Sequence, residues 1–310
     1  FEPCAEDLMP DHTHFGLGLL GCYFYSGFRD ADGNIYAPMR KFVSEMSSGL
    51  SLQSNAGRDY VGVDVDALAK SQRGVGVRWT LEDGAVAIRA SKTPFSQPIE
   101  VRITDDSLAW GEGELLELRG RLLAPGFQWY MPMRDERGGL FYASQLYRAS
   151  GVVAGRKVEG FIGLDGLYGP PGQVYQTGPL FNGVEMAWSY FANAYADGTF
   201  ECGHLGWGAE HWGFAMIVDQ KGEVAMASDV PCDVEMRMPS QYVARATYHV
   251  QGGDWVFTAG ERGEMRDLAA QRGDKYHGQA GVVRRAGDRR ETELSMAWME
   301  SFPMNGTVRS

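Results

Sequence analysis

Side chains that can transfer protons or contact an apolar ligand are concentrated between Gly160 and Trp212. Carboxyl, imidazole and phenol groups are the usual proton donors and acceptors of enzymes, and tryptophan and tyrosine rings offer apolar surface with a polar edge. This composition predicts a pocket for an apolar molecule with one or two polar groups inside it. The catalytic candidates are Asp165, Tyr168, His204 and His211, and the expected substrate-binding residues are Trp188, Tyr190, Trp207 and Trp212.

The faces on which several of these side chains lie depend on a predicted hairpin at Asp197-Gly198. Asp-Gly is typical of two-residue hairpin turns, because the central residues need positive φ angles. With a two-residue loop, His204 would pair with Phe191, and Tyr190 with Leu205. His204 and Tyr190 would then point to opposite faces, and both could reach one cavity only through a β-bulge.

Asp165 and His204 are the two candidates for the proton-transfer group. Burial among aromatic side chains raises the pKa of a carboxyl group, so that it can hold a proton near neutral pH. Aromatic faces stabilise a neighbouring cation through their quadrupole, and a histidine or tyrosine can accept or relay the proton. The residue types therefore favour acid–base chemistry on an apolar substrate.

The segment Gly16-Leu-Gly18-Leu-Leu-Gly21 matches the glycine pattern of dinucleotide-binding proteins. That pattern requires a helix after the glycines, whose first turn holds the pyrophosphate. Here the β-like sequence Cys22-Tyr-Phe-Tyr25 follows, so we predict a glycine-rich strand. The sequence also lacks the P-loop, HExxH, GxSxG and kinase signatures. We therefore expect no cofactor.

Metal binding is an alternative use of the histidines and cysteines. His12-x-His14, Cys202-x-His204 and His211 each offer zinc ligands, and strand residues two apart project to the same side. The remaining histidines, His249 and His277, are scattered, and no CxxC or HxxxH pair occurs. The sequence favours a protein without a metal.

The composition is that of an acidic globular protein of 310 residues. Lys and Arg number 29 against 40 Asp and Glu, a net charge of −11, and no basic block suggests a nucleic-acid partner. Glycines and prolines interrupt the uncharged stretch Leu167–Val184, so no membrane-spanning helix is expected. The chain begins with Phe1 and shows no signal peptide, which makes the cytoplasm the default location. We expect buried thiols rather than disulfides, and the sequence leaves the oligomeric state open.

Short strands and tight turns dominate the predicted secondary structure. Turn pairs separate β-rich segments throughout the chain, and only Val65–Gln72 and Glu264–Arg272 have helical character. The turn pairs are Asp83-Gly84, Asp197-Gly198, Lys221-Gly222 and Gly252-Gly253. We predict an all-β protein of two antiparallel barrel or sandwich halves packed together, residues 1–157 and 158–310, with a junction at Ser150–Glu159.

Three segments of the second half carry a family resemblance: Gly160 to Gly169 (GFIGLDGLYG), the Asp197-Gly198-Thr199 turn, and His211-Trp212-Gly213. They resemble the hydroxyneurosporene synthase (carotenoid 1,2-hydratase)-like group, which is related to lipocalin-like Diels–Alderases. The resemblance implies two lipocalin-type barrels with a ligand site at or between them. It also implies cofactor-free addition or removal of water, cyclisation, or bond cleavage beside a stabilised cation. The residues carried over are Asp165, Tyr168, His211 and Trp212.

We therefore predict a cofactor-independent lyase or isomerase: a hydratase, dehydratase, cyclase or bond-cleaving lyase. Its expected substrate is a hydrophobic terpenoid, polyketide or aromatic small molecule. One alternative is a non-catalytic lipocalin-like binder of the same kind of ligand. Another is a glycan-binding or glycan-hydrolysing protein, which would need stacking on Trp188 or Trp207 and two close carboxylates such as Glu185 and Glu210.

Overall fold

The computed structural model describes residues 2–131, 139–170, 185–209, 212–271 and 276–302. Strands account for 62% of it, which confirms the all-β prediction. The described residues contain a 3-10 helix, Ala5–Leu8, and two short α-helices, α1 (Val65–Lys70) and α2 (Arg266–Gln271), close to the two segments expected to be helical. No helix among these residues has the length and apolar character needed to cross a membrane.

The first sheet contains 15 strands from the amino-terminal part of the chain. They are β1 (Thr13–His14), β2 (Leu17–Arg29), β3 (Ile35–Val43), β4 (Met46–Ser47), β5 (Ser51–Ser54), β6 (Gly62–Val63), β7 (Gly74–Val75), β8 (Arg78–Glu82), β9 (Ala85–Ala90), β10 (Ile99–Ile103), β11 (Ser107–Gly111), β12 (Leu116–Leu122), β13 (Phe127–Met131), β14 (Leu140–Val153) and β15 (Arg156–Gly169). The strand order is β6-β5-β3-β2-β15-β14-β12-β11-β10-β9-β8, with β1 beside β2, β13 beside β14, and β4 between β3 and β7. The glycine-rich segment at residues 16–21 runs into β2, as predicted.

The second sheet contains nine strands in the order β19-β18-β17-β16-β24-β23-β22-β21-β20. They are β16 (Glu185–Tyr195), β17 (Phe200–Gly208), β18 (Gly213–Asp219), β19 (Val224–Ser228), β20 (Cys232–Arg237), β21 (Tyr242–Tyr248), β22 (Trp255–Glu264), β23 (His277–Arg285) and β24 (Thr292–Ser301). Both sheets are antiparallel and curled, as expected of two lipocalin-like halves.

The chain forms two compact units, residues 1–53 with 63–174 and residues 54–62 with 175–310. The division predicted at residue 157 falls inside β15, which pairs with β14 and β2 of the first sheet. The segment expected to be the junction is instead the end of the β14–β15 hairpin. Its turn has only two residues, Ala154 (φ 48°) and Gly155 (φ 74°), so the chain reverses at once and continues the same sheet.

The core of the first unit lies on one face of its sheet. Phe24 of β2, Leu164 of β15 and Trp110 of β11 are each at most 1% exposed and belong to one apolar cluster. Alternation along β15 therefore turns Asp165, the next residue, away from this cluster. The second unit has its own core, which includes Phe191, Leu205 and several further apolar residues, namely Ala215, Val243, Phe257, Val283 and Met299.

The four cysteines form no disulfide. Cys22 and Cys202 are fully buried, as expected of structural thiols, whereas Cys232 is half-buried and Cys4 is exposed.

A fully buried ion pair joins β3 to the end of β11 in the first unit. Arg40 Nε donates to Glu112 Oε1 over 2.9 Å, and Arg40 Nη2 contacts the other carboxylate oxygen. Trp110 Nε1 also donates to Glu112 Oε1 over 2.9 Å, and Arg40 Nη1 donates to the Gln72 carbonyl over 2.6 Å. Because both charged groups are out of water, each depends on the other.

We predict that Glu112→Gln lowers the free energy of unfolding by about 3–5 kcal/mol, because it leaves the Arg40 charge buried without its counter-ion. Urea unfolding of the full chain measures this loss. The control is Glu114→Gln, which breaks the exposed Lys70–Glu114 pair (2.9 Å) and should cost less than about 1 kcal/mol. Equal effects of the two substitutions would contradict the prediction.

Candidate functional site

Asp165 lies in the middle of β15, between β14 and β2. Asp165 is opposite Ser144 in the pairing of β15 with β14, and opposite Tyr23 in the pairing of β15 with β2. It is only 4% exposed although it lies on the face away from the apolar core. A carboxyl group at this depth needs hydrogen-bond partners to offset the loss of water.

Two tyrosine hydroxyl groups supply those partners. Tyr25 Oη donates a hydrogen bond to Asp165 Oδ1 over 2.8 Å, and Tyr142 Oη donates one to Asp165 Oδ2. Ser144 Oγ lies 3.5 Å from Tyr25 Oη and extends the network by one hydroxyl group. We call Asp165, Tyr25, Tyr142, Ser144 and Trp129 the Asp165 cluster. It joins one carboxyl and two phenols by direct hydrogen bonds.

Strand geometry explains why the two tyrosines converge on one carboxylate. Tyr25 is opposite Gly163 and Tyr142 is opposite Leu167, so each is a diagonal neighbour of Asp165 on the same face. Gly163 makes room for the first ring, because a Cβ there would lie 2.1 Å from Tyr25 Cε2. The other glycines of residues 160–169, Gly160, Gly166 and Gly169, are likewise covered by neighbouring residues of the protein itself.

An indole ring extends the Asp165 cluster on the β13 side. Trp129 is opposite Tyr142 and stacks on it, with ring centroids 4.3 Å apart and an interplanar angle of 29°. Trp129 and Tyr142 are both half-buried, so apolar ring surface adjoins the carboxyl group and remains accessible in part. An aromatic or otherwise apolar ligand could stack on such a surface.

Tyr168, the other predicted catalytic residue of the first unit, lies on the opposite face of β15 from Asp165. It is opposite Phe141, and its hydroxyl donates to the Asp7 carbonyl over 2.9 Å. Its ring packs edge-on against His14, with centroids 4.4 Å apart. Burial raises the pKa of Tyr168 well above its usual range, so it stays a neutral phenol.

In the second unit, the observed register of β16 and β17 differs by one residue from the prediction. The hairpin loop has three residues, 196–198, because Tyr195 N donates to the Thr199 carbonyl over 2.9 Å. His204 is consequently opposite Tyr190, not Phe191, and the two side chains share a face without any bulge between them. A shift of one residue exchanges the two faces of a strand.

His204 is fully buried and is held by an indole. Trp188 Nε1 donates to His204 Nδ1 over 3.1 Å, so the ring hydrogen is on Nε2. Burial lowers the pKa of His204 to about 3. The imidazole is therefore neutral at physiological pH and is suited to donating a hydrogen bond rather than to accepting a proton.

The aromatic residues expected around His204 separate into two groups. Trp188 packs with Phe214 (centroids 4.7 Å) and with Trp212 (6.1 Å), so these rings form one cluster beside the histidine. Trp207 is opposite Ala187 and packs against the second core, on the other face of β17. Its position is that of a core residue.

His211 and Glu210 lie outside the described residues. The predicted site residues thus form two sets, Asp165 and Tyr168 in the first unit and the residues around His204 in the second. Sequence reasoning missed Tyr25, Tyr142, Ser144 and Trp129. Alternation within β2 and β14 could have placed the tyrosines on defined faces, but nothing local to those strands indicates that β15 lies between them.

The two curled antiparallel sheets define a lipocalin-like all-β protein built of two units. No known family profile matches the sequence, and no curated protein is significantly similar to it. Two solved structures have the same fold over nearly the whole chain. One is a candidate AttH protein from Nitrosomonas europaea, with a TM-score of 0.54 and 14% identity, covering 97% of each chain. The other is kievitone hydratase from Nectria haematococca, with a TM-score of 0.51 and 10% identity, covering 97% of this chain and 94% of that one.

At such low identities these structures support the fold alone. They agree, at that level, with the resemblance to a hydratase-type group predicted from the sequence.

We predict that His204 makes the unfolding free energy fall as the pH is lowered. The unfolded histidine has a pKa of about 6.5, and the folded one has a pKa of about 3. Between these values the unfolded state binds more protons, so stability declines with acidification by about 1.4 kcal/mol per pH unit. Urea unfolding between pH 5.5 and 4, where the unfolded histidine is protonated and the folded one is not, should show a slope that is smaller by about this amount in His204→Gln.

The matched control is His249→Gln. Asp233 and Asp254 raise the pKa of the exposed His249, so its contribution is present at low pH and is lost as the pH rises. The control should therefore change the pH slope in the opposite direction. An unchanged slope in His204→Gln would contradict the buried, neutral state of that ring.

Proposed function

We propose that the protein is an acid–base enzyme of the lyase or isomerase class, foremost a hydratase or dehydratase, with Asp165 as its proton-transfer group. The observation that carries this proposal is the buried carboxylate with a tyrosine hydroxyl on each oxygen. The fold shared with kievitone hydratase supports the class. The reaction would need no added cofactor, because the cluster itself can take up and return a proton.

The network supplies a balanced proton path for water addition. Asp165 removes a proton from the attacking water molecule while the oxygen of that water bonds to one carbon of a substrate double bond. Tyr25 gives the other carbon its phenolic proton, which in the structure points to Asp165 Oδ1, and the Tyr25 oxygen takes the proton of the resulting carboxylic acid across the same 2.8 Å separation. One water is added, and both residues regain their starting protonation states. Dehydration is the reverse sequence.

The surroundings favour a hydrophobic substrate. Trp129 stacks on Tyr142, the tyrosine that hydrogen-bonds Asp165 Oδ2, and offers a half-buried aromatic face there. Such a face binds apolar molecules and stabilises positive charge that develops on a neighbouring carbon. We propose a terpenoid, polyketide or aromatic substrate, encountered in the cytoplasm, and no nucleic-acid partner.

A second candidate function is ligand binding without turnover. Asp165 already accepts a hydrogen bond at each oxygen, and a carboxylate that served only the fold would be satisfied in the same way. In that case the aromatic surfaces would bind a hydrophobic ligand and the network would only hold the strands together.

We predict that Asp165→Asn lowers turnover by about 10²- to 10⁴-fold, because an amide cannot accept the proton. Tyr25→Phe should also lower turnover, because it removes the relay to carbon. The assay incubates the full chain, without added cofactor, with kievitone and with a panel of terpenoid, polyketide and lignin-type aromatic compounds. Mass spectrometry follows the gain or loss of one water.

The matched control is Tyr36→Phe, which removes another tyrosine–aspartate hydrogen bond of the same unit, from Tyr36 Oη to Asp30 Oδ2 (3.1 Å). It should leave turnover unchanged. Normal turnover by Asp165→Asn would refute the assignment of the proton-transfer group. Binding of panel compounds with no product, in the wild type as well, would favour the binder.

A further inference from the structure

A cluster of metal-ligating side chains lies at the start of the first unit, apart from the Asp165 cluster. Asp7 of the 3-10 helix, His12 of the following turn and His14 of β1 each bring one ligand atom within 4.8 Å of the other two. It is the one such group of three in the part of the chain that the structure describes. All three residues are half-buried.

The spacing of these atoms fits a small divalent ion. Zinc lies about 2.0–2.2 Å from nitrogen and oxygen ligands, which places tetrahedral ligands about 3.4 Å apart. Asp7 Oδ1 and His12 Nε2 are already 3.4 Å apart. The His12 and His14 rings have centroids 4.8 Å apart, so a small side-chain rotation would complete the arrangement.

An independent observation concerns the ring nitrogen His14 Nε2. This atom is enclosed, and it has no hydrogen-bond partner among the described residues. Buried polar atoms are normally satisfied, so this nitrogen calls for a partner that the described residues do not provide. The rings of Tyr168 and Phe141 pack against His14, at 4.4 and 4.8 Å between centroids, and hold it in place.

His249 is another histidine beside carboxylates in the same chain, and it has the contacts of a structural residue. Its Nε2 contacts Asp233 over 3.0 Å and its Nδ1 contacts Asp254 over 3.1 Å, so both nitrogens are engaged on opposite sides of the ring. The arrangement at Asp7, His12 and His14 differs, because three ligand atoms lie within 4.8 Å of one another.

We propose that Asp7, His12 and His14 bind a divalent transition-metal ion of the zinc type, with water in the remaining positions. Two imidazoles and one carboxylate suit such an ion, and three protein ligands leave coordination positions open. The ion would link the 3-10 helix to β1. This site lies beside Tyr168, on the opposite face of β15 from Asp165, so it is separate from the acid–base group of the proposed function.

The test uses the full chain after dialysis against EDTA. Isothermal titration with Zn²⁺ should give one site per chain, and Zn²⁺ should raise the melting temperature because it binds only the folded state. Bound Co²⁺ should give the visible absorption of a low-coordinate nitrogen and oxygen site. Asp7→Asn, His12→Gln and His14→Gln should each weaken Zn²⁺ binding by more than about tenfold.

The matched control is His249→Gln, which should bind Zn²⁺ as the wild type does. His12 is about one-third exposed, so His12→Gln keeps the test decisive even if His14→Gln does not fold. No stoichiometric Zn²⁺ binding by the wild type, or wild-type affinity in Asp7→Asn and His12→Gln, would overturn the proposal. None of these measurements depends on turnover, so their outcome is independent of the proposed function.

Discussion

The pairing register of β15 is the constraint on which the first unit depends. β15 pairs with β14 from Phe141 to Val153 and with β2 on its other side. Because side chains alternate along a strand, this register places Leu164 in the apolar core and Asp165 on the opposite face. A slip of one residue would move the carboxyl group into the core and remove the leucine from it, at a cost of several kcal/mol. The core therefore fixes the geometry of the Asp165 cluster.

The same register determines what surrounds the carboxyl group. Tyr25 and Tyr142 reach the carboxyl group because the β15 residues opposite them, Gly163 and Leu167, are each two positions from Asp165. Gly163 also leaves the space that the Tyr25 ring occupies and that any other side chain would fill. The cost of burying a carboxylate is offset by charge-assisted hydrogen bonds from both phenols. These bonds also fix the two hydroxyl groups within reach of one another through Asp165. The same hydrogen bonds therefore stabilise the buried Asp165 carboxylate and form the proton path that we propose for it.

Much of the fold could be predicted from local sequence signals. Asp83-Gly84 forms the expected two-residue turn, with Glu82 opposite Ala85. Turn propensity did not determine loop length at Asp197-Gly198, where one additional residue enters the loop and exchanges the faces of His204. The observed register packs Phe191 and Leu205 together into the second core, whereas the predicted one would place them on opposite faces.

The candidate site was less accessible to sequence reasoning than the fold. Asp165 and His204 were found by residue type, but the partners of Asp165 lie 140 and 23 residues away in sequence. Such long-range pairing leaves no local pattern. The division of the chain was equally non-local, since residues 54–62 belong to the second unit although the sequence around them belongs to the first.

Environment, rather than residue type, separates the two candidate proton-transfer groups. His204 is enclosed by apolar surroundings, its Nδ1 is occupied by the Trp188 indole, and its low pKa keeps it neutral. A group in that state takes up a proton only at strongly acidic pH. Asp165 accepts a hydrogen bond from each of two tyrosine hydroxyl groups. In the proposed reaction, the proton that Asp165 takes up returns to the Tyr25 oxygen once that tyrosine has given its own proton to the substrate, and acid–base turnover requires such a return path of a buried carboxyl group.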